Sequence, residues 1–275
     1  MKKIRIRDIL AKIVVIAFMF TFLIPFFLVM LYSVKSKSEM ITDRLSFPKT
    51  FHWENFTEGI AYTKFWHVMG NSLIVTSLSI ILITIVCTMA AYIIARKRSL
   101  LYNFVYYLFV GAMIIPFQSI MTPLYKMLVN YGLVNTLGGF VIVKSGVQIA
   151  FTVLIITGFV NGIPRELEEA AFVDGAGRYK TFFAVVLPLM KPILFTSLVL
   201  NILNVWNDFQ VSVVLLQKID KRTIPLVQFY LLGERANELN QAFAVFLLSM
   251  IPVLIIYLIF QKYIIQGVTA GAVKG

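Results

Sequence analysis

Charged side chains are scarce in this chain. Only 14% of its 275 residues are Asp, Glu, Lys or Arg, against 59% hydrophobic, where a soluble domain carries about 25% charged. Such a chain has too little polar surface to cover itself in water, and a bilayer is the solvent that fits. Cysteine is almost absent: Cys87 stands alone inside an apolar run, which excludes a disulfide framework within one chain. Histidine is as rare, and neither His52 nor His67 has a carboxylate or thiol at metal-ligand spacing, so neither a metal site nor a cofactor is expected. Acidic residues are outnumbered, giving a net charge of +12. In a polar protein that excess would suggest nucleic acid. Here the basic residues cluster at the ends of apolar runs, a pattern of membrane topology that points to lipid and not nucleic acid as the partner.

What the chain has is long apolar runs. Six stand out, at about residues 9–33, 70–95, 101–128, 137–160, 186–208 and 241–264. Each is long enough for one helical crossing of about 20 residues. The runs lack the alternation of a membrane barrel, so helices are the structure that satisfies their backbone groups in lipid. The first run follows Lys2, Lys3, Arg5, Arg7 and Lys12, as a secretory signal would. Its length and the lack of a small-residue cleavage site after it predict a retained transmembrane helix. The expected fold class is therefore an all-α membrane protein with six transmembrane helices, in a single domain over 1–275.

Basic residues set the expected orientation. The N-terminal cluster and Arg96-Lys97-Arg98 are two crossings apart and share a side; Arg165, Arg178, Lys180 and Lys191 fall there too. That side is expected to be cytoplasmic, with both termini on it. Lys218, Lys221, Arg222 and Arg235 fall on the other side and dilute the bias. Two outside segments are long. The first, 34–69, carries Phe47-Pro48, Trp53 and Trp66 and suits a structured loop at the membrane interface; the second is 210–240.

The inside segment 161–185 is the only polar stretch of any length on its side. Pro164 fits a first helical position, and Glu166, Glu168 and Glu169 fit the positive first turn of a helix. Asp174-Gly175-Ala176-Gly177 then breaks that helix, and a second short helix over 178–186 feeds into Leu187-Pro188. The expectation is a helix-turn-helix along the inner membrane surface. Lys180-Thr181 superficially suggests a phosphate loop, but Tyr179 stands where glycine is needed and no strand precedes it.

Glu169-Ala170-Ala171, three residues, Gly175, nine residues, Val185, one residue and Leu187-Pro188 resembles the signature loop of bacterial binding-protein-dependent import permeases of the ATP-driven (ABC) class. All seven positions match, where a chance match has a probability of about 10⁻⁵ by average residue usage. Pro116, Pro123-Leu124-Tyr125, Gly132-Leu133-Val134-Asn135-Thr136 and Trp206-Asn207-Asp208-Phe209 are similar to the sugar-importing branch of that family. The tail 266–275 resembles that of the maltose-type second permease. Gln210-Val211-Ser212 departs from the bulky apolar residues and proline more usual after that Trp-Asn-Asp-Phe run.

The resemblance implies a subunit of a bacterial cell-membrane importer that does not itself hydrolyse ATP. Its implied partners are a second permease subunit, two cytoplasmic ATPase subunits, an extracytoplasmic sugar-binding protein and a sugar substrate. It also implies that Glu169, Ala170, Ala171, Asp174, Gly175, Leu187 and Pro188 form the coupling loop to the ATPases.

Polar residues in or near the apolar runs are the remaining candidates. Gln118, Gln148, Asn204 and Trp206 are candidates for the sugar pathway, the tryptophan by stacking on a pyranose face. Hydrogen bonding between helices is the plainer role for such residues, Asn201 included. Lys144, near the outer end of its run, is expected to snorkel to the interface. A permease of the same superfamily for polyamines, phosphate or amino acids is an alternative. So is an ion-coupled secondary carrier, which would show paired repeats and buried ionisable groups. No nucleophile–base pair lies in the runs, so no catalytic residue is assigned and a membrane-embedded enzyme is disfavoured.

Overall fold

The computed structural model describes residues 6–97, 99–235 and 237–272, with side chains over 12–97, 99–235 and 237–261. Lys2, Lys3, Arg5 and Arg98 of the basic clusters, and the last three residues of the tail, lie outside the described residues; of 6–11 and 262–272 only the backbone is described. Among the described residues the fold is helical, without strands. In order the helices are α1 (Ile6–Ser33), α2 (Lys37–Thr42), α3 (Glu54–Thr63), α4 (Phe65–Arg96), α5 (Leu100–Ala112), α6 (Phe117–Asn130) and α7 (Leu137–Asn161). There follow α8 (Glu166–Val173), α9 (Arg178–Thr181), a π-helical turn at Phe182–Val186, α10 (Leu187–Leu189), α11 (Lys191–Trp206), α12 (Gln210–Leu215), α13 (Ile224–Glu234) and α14 (Leu239–Ala272).

Four helices are long and apolar enough to cross a membrane unbroken: Lys12–Ser33 of α1, α4, α7 and Leu239–Gln261 of α14. Two bent helix pairs among the described residues bring the number to six if each pair is one span. The run expected at 101–128 is divided into α5 and α6, which meet at 102°, and α9–α10 meets α11 at 70°. Proline explains both. Pro116 has extended dihedrals and is the last residue before α6, and it pushes Ile115 out of the helical region. Pro188 and Pro192 each remove a backbone donor, so the carbonyls four residues earlier, of Ala184 and Pro188, lose their helical partner.

The chain forms two compact units. The larger comprises 67–226 and 252–275. Within it α4 is apolar all round but small on one side. Val75, Ser79, Ile83, Cys87 and Ala91 recur every four residues and are all but fully buried. Leu78, Leu82, Ile85 and Met89 stand exposed on other faces. The buried row is small or β-branched, and the exposed faces carry bulky apolar side chains suited to lipid. The Cys87 thiol lies 3.8 Å from the carbonyl of Ile149 on α7. Helix α7 is the centre of this unit, packed by α5, α11 and α12. Thr136 caps its start, its hydroxyl accepting from Gly139 N.

The smaller unit, 1–66 and 227–251, contains the loop after α1, which is structured. Lys35 is fully buried. Its ammonium donates to the carbonyls of Asp43 (2.7 Å) and Arg44 (3.1 Å) and to the Ser46 hydroxyl, so its charge is spent on the chain that follows α2. Asn55 donates to the carbonyls of Ser33 and Lys35 and accepts from Asn240, joining the end of α1 to α3 and α14. His52 pairs with Glu54 in the same loop.

Helix α2 opens with a full capping box: Glu39 N donates to the Ser36 hydroxyl, and the Glu39 carboxylate accepts from Ser36 N. The same carboxylate accepts from Lys49 N at 3.0 Å. The Lys49 bond first, and the Ser36 bond next, hold its pKa below the usual glutamate value. The sign follows: the charge stabilises the loop fully above the ordinary carboxylate value, and that stabilisation drains away as the pH falls through the lowered one. Wild type should therefore show stronger amide-exchange protection at Ser36 and Lys49 than Glu39→Gln at neutral pH, and the difference should vanish in acid. A difference independent of pH would contradict this account.

Candidate functional site

Two clusters of polar groups lie within the larger unit, one beside α8 and one beside the end of α11. The first is built on how α8 begins and ends. Arg165 already has helical dihedrals, so Pro164 stands immediately before the first helical residue and not inside the helix. Glu168 and Glu169 both donate their amides to the Arg165 carbonyl, at 2.9 and 3.1 Å. The helix ends in a Schellman motif: Ala176 N donates to Ala171 O at 2.9 Å, and Gly175 N to Phe172 O at 3.0 Å. This requires a left-handed residue, and Gly175 has φ +78°. A β-carbon there would meet nothing within 4 Å, so the cost of another residue is backbone strain alone.

The adjacent glutamates part company. Glu168 is buried: Arg96 Nε and the Tyr92 hydroxyl (2.8 Å) both donate to it from the last turns of α4. Arg96 also donates to the Ile163 carbonyl at 3.0 Å, and Arg165 reaches back to the carbonyls of Ala95 and Arg96 at 3.3 Å. Four groups thus latch α8 onto the end of α4. A cavity of about 760 Å³ opens beside the latch, lined by Arg96, Lys97, Asn103, Tyr106, Thr157 and Arg165 among others. Glu169, Ala170, Asp174, Gly175 and Pro188 are exposed, while Ala171 and Leu187 are half-buried. Phe172 (45%), Val173 (89%) and Tyr179 (83%) add large apolar groups to the exposed surface. Behind the loop, Phe182 packs on Tyr92 with ring centroids 4.8 Å apart, and the π-helical turn leads to the proline-bent start of α11.

The second cluster corrects an expectation. Lys144 does not snorkel; it is 5% exposed. Its ammonium donates to Asn204 Oδ1 and Asp208 Oδ2, both at 2.7 Å. The other Asp208 oxygen accepts from Val211 N (3.0 Å) and Ser212 N (3.1 Å) and so caps α12. Burial in apolar surroundings leaves an ammonium no alternative but a partner. Asn204 lies on the last turn of α11 and Asp208 just beyond its end, both on the side facing α7.

Of the four pathway candidates, Asn204 alone lines the cavity at this cluster. Gln118 is exposed at the start of α6, and Gln148 is buried in α7. Trp206 is 3% exposed; it is packed inside and offers no face to a sugar in this conformation. Asn201 bonds Thr152 of α7, the interhelical role. Among the described residues no three His, Cys, Asp or Glu side chains gather as metal ligands.

Residues 87–270 match the family described as binding-protein-dependent transport system inner membrane component, and the chain belongs to that family. It is 36% identical over its whole length to the melibiose/raffinose/stachyose import permease protein MelC of Bacillus subtilis, covering 98% of that protein. It is 32% identical to the probable starch degradation products transport system permease protein AmyC of Thermoanaerobacterium thermosulfurigenes, each covered in full. A bacterial ABC transporter involved in importing the acidic polysaccharide alginate shares its fold, with a TM-score of 0.80 at 23% identity over 96% of this chain and 99% of that one.

The latch makes a direct prediction. Breaking a buried ion pair from one side costs about 3–5 kcal/mol, so Arg96→Met should lower the melting temperature of the purified chain clearly, and Glu168→Gln should do so less. Glu169→Gln, one residue away, should leave it unchanged. Equal effects at Glu168 and Glu169 would refute the division between them.

Proposed function

We propose that this chain is one of two permease subunits of an ATP-driven oligosaccharide importer, and that the surface from Glu166 to Pro188 receives a cytoplasmic ATPase subunit. Two ATPase subunits, a second permease and an extracytoplasmic sugar-binding protein complete the assembly. The sugar class rests on similarity to relatives named for melibiose, raffinose, stachyose and starch products.

The observation that carries the proposal is the division of the loop. Glu168 is spent on Arg96 and Tyr92, so α8 is held by the membrane helices. Glu169, Ala170, Phe172 and Val173 are left outward on the same helix. A rigidly mounted helix with small and apolar groups exposed is suited to a cleft in a soluble partner. Closure of the ATPases then moves α8 together with the end of α4 and, through the π-helical turn, the start of α11. The ligand-driven shift exists only if ATPase closure favours one permease conformation over another.

Both termini and this loop are cytoplasmic in the proposed arrangement. Two of the basic residues that fall outside are engaged locally. Arg235 lies over the Tyr62 ring at 3.9 Å and donates to Gln241; Lys221 pairs with Asp220 at 3.2 Å. A cysteine at Glu169 should resist an impermeant thiol reagent applied to intact cells, and a cysteine at Asp220 should react. The reverse pattern would overturn the orientation.

Coupling is tested by Gly175→Leu and Glu169→Lys. Leucine at φ +78° carries a strain of about 1–3 kcal/mol, enough to weaken docking about 5- to 150-fold. Lysine at 169 reverses a charge in the favourable first turn of α8. Both variants should insert at normal abundance, lose co-purification with the ATPase and lose oligosaccharide uptake. Full uptake by both at normal abundance would exclude the loop as the coupling element.

A further inference from the structure

The buried charges at the end of α11 have no part in docking an ATPase, and they line a cavity. It has a volume of about 480 Å³, within the range of about 300–1,000 Å³ typical of small-molecule sites, and is open to one side. Lys144, Asn204, Asn207, Asp208 and Gln210 supply its polar wall, and Leu200, Leu203 and Phe209 its apolar one. We propose that this cavity is a subsite for one unit of a neutral saccharide, with Lys144, Asn204 and Asp208 as its polar contacts; the proposal rests on the import function above.

Charge decides the class of ligand. Lys144 and Asp208 are 2.7 Å apart and cancel, so the cavity has polar groups without net charge. A carboxylated sugar would shed hydration without a net counter-charge to offset the cost, and so would a cationic solute. An uncharged polyol meets neither penalty.

Hydrogen-bonding capacity decides in the same direction. Lys144 has three donors, of which two are committed to Asn204 and Asp208. Asn204 accepts through Oδ1, and its amide nitrogen makes no bond among the described residues; nor does the Gln210 side chain. Asn207 donates to the Leu203 carbonyl, leaving its own amide oxygen as an acceptor. Donors and acceptors in alternation beside an aromatic and two leucines match the hydroxyl edge and the C–H face of a pyranose.

A cluster serving only to join α7 to α11 would explain the ion pair but not the unspent amides beside it, and the two roles differ in their consequences. Asp208→Asn keeps one oxygen to cap α12, replaces the oxygen that accepted from Lys144 with an amide nitrogen, and leaves the cavity with one net positive charge. Asn204→Leu keeps the Lys144–Asp208 pair and removes the amide.

The test uses the assembled complex of both permeases and ATPases in lipid nanodiscs, without the binding protein so that delivery does not impose its own selectivity. Raffinose and trigalacturonate are the probes, read by saturation-transfer NMR. Wild type should receive raffinose and discriminate against trigalacturonate, and Asp208→Asn should shift the preference towards trigalacturonate at least about tenfold. Asn204→Leu should lose most of the raffinose signal in a complex that still assembles. An unshifted preference in Asp208→Asn overturns the subsite. If Asp208→Asn does not assemble, Asn204→Leu decides: retained raffinose transfer overturns the subsite, and its loss in the assembled complex supports it. Uptake by the same wild-type complex with its binding protein separates the two claims. No ATP-driven uptake of any oligosaccharide defeats the import function, whereas normal uptake with no change in preference defeats only the subsite.

Discussion

A charge that enters the helical part of this protein must find its counter-charge there, because lipid supplies none. That constraint organises both polar clusters. At one end of the larger unit Arg96 on α4 is answered by Glu168 on α8. At another point Lys144 on α7 is answered by Asp208 beyond α11. Each pair joins helices distant in sequence, and each is completed by neutral groups: Tyr92 and the Ile163 carbonyl in one case, Asn204 and the amides opening α12 in the other. Removing one partner would leave a buried charge uncompensated, which is the costly case. The pairs therefore fix where α8 and α12 begin, and these two short helices border the surfaces on which the proposed function depends.

The same residues that interrupt the membrane helices connect those surfaces. Pro188 and Pro192 remove rungs of the helical ladder one turn apart, and the π-helical turn at Phe182–Val186 precedes them. A helix with missing rungs bends at lower cost than an intact one. The Glu168 latch has the opposite character, being buried and made by several bonds. In the proposed importer a partner pressing on α8 meets a stiff joint towards α4 and a compliant one towards α11. Movement of α11 in turn shifts Asn204 and Asp208, which lie on its last turn and just beyond it.

The membrane class of the fold was legible because hydropathy is additive: twenty apolar residues read as a crossing wherever they occur. The bends were not, since Pro116 and Pro192 lie inside apolar runs and a hydropathy window does not register direction. The turn at Gly175 was readable from Asp174-Gly175, because the left-handed end of a helix asks for that residue type. The fate of the neighbouring glutamates was not readable. Glu168 and Glu169 have the same chemistry, and only the helical phase set by Pro164 and Arg165 turns one towards Arg96. Lys144 and Asp208 were visible singly at the ends of their runs, but no periodicity links residues on different helices. Trp206 misled for the converse reason: an indole before a helix end suits an exposed stacking face and a buried anchor equally well, and packing chose the second.

The central claim is that the outward face of α8 is the surface on which the ATPase sits. Cys87 is fully buried, so an introduced cysteine on the surface is the thiol that reacts. Val173→Cys, at a position of α8 that is 89% exposed, should form a covalent adduct with the ATPase subunit through a short thiol–amine linker in native membranes, with a yield that changes when nucleotide is added. Trp53→Cys, in the loop after α1, should form none. No adduct at position 173, or equal adducts at 173 and 53, would contradict the account.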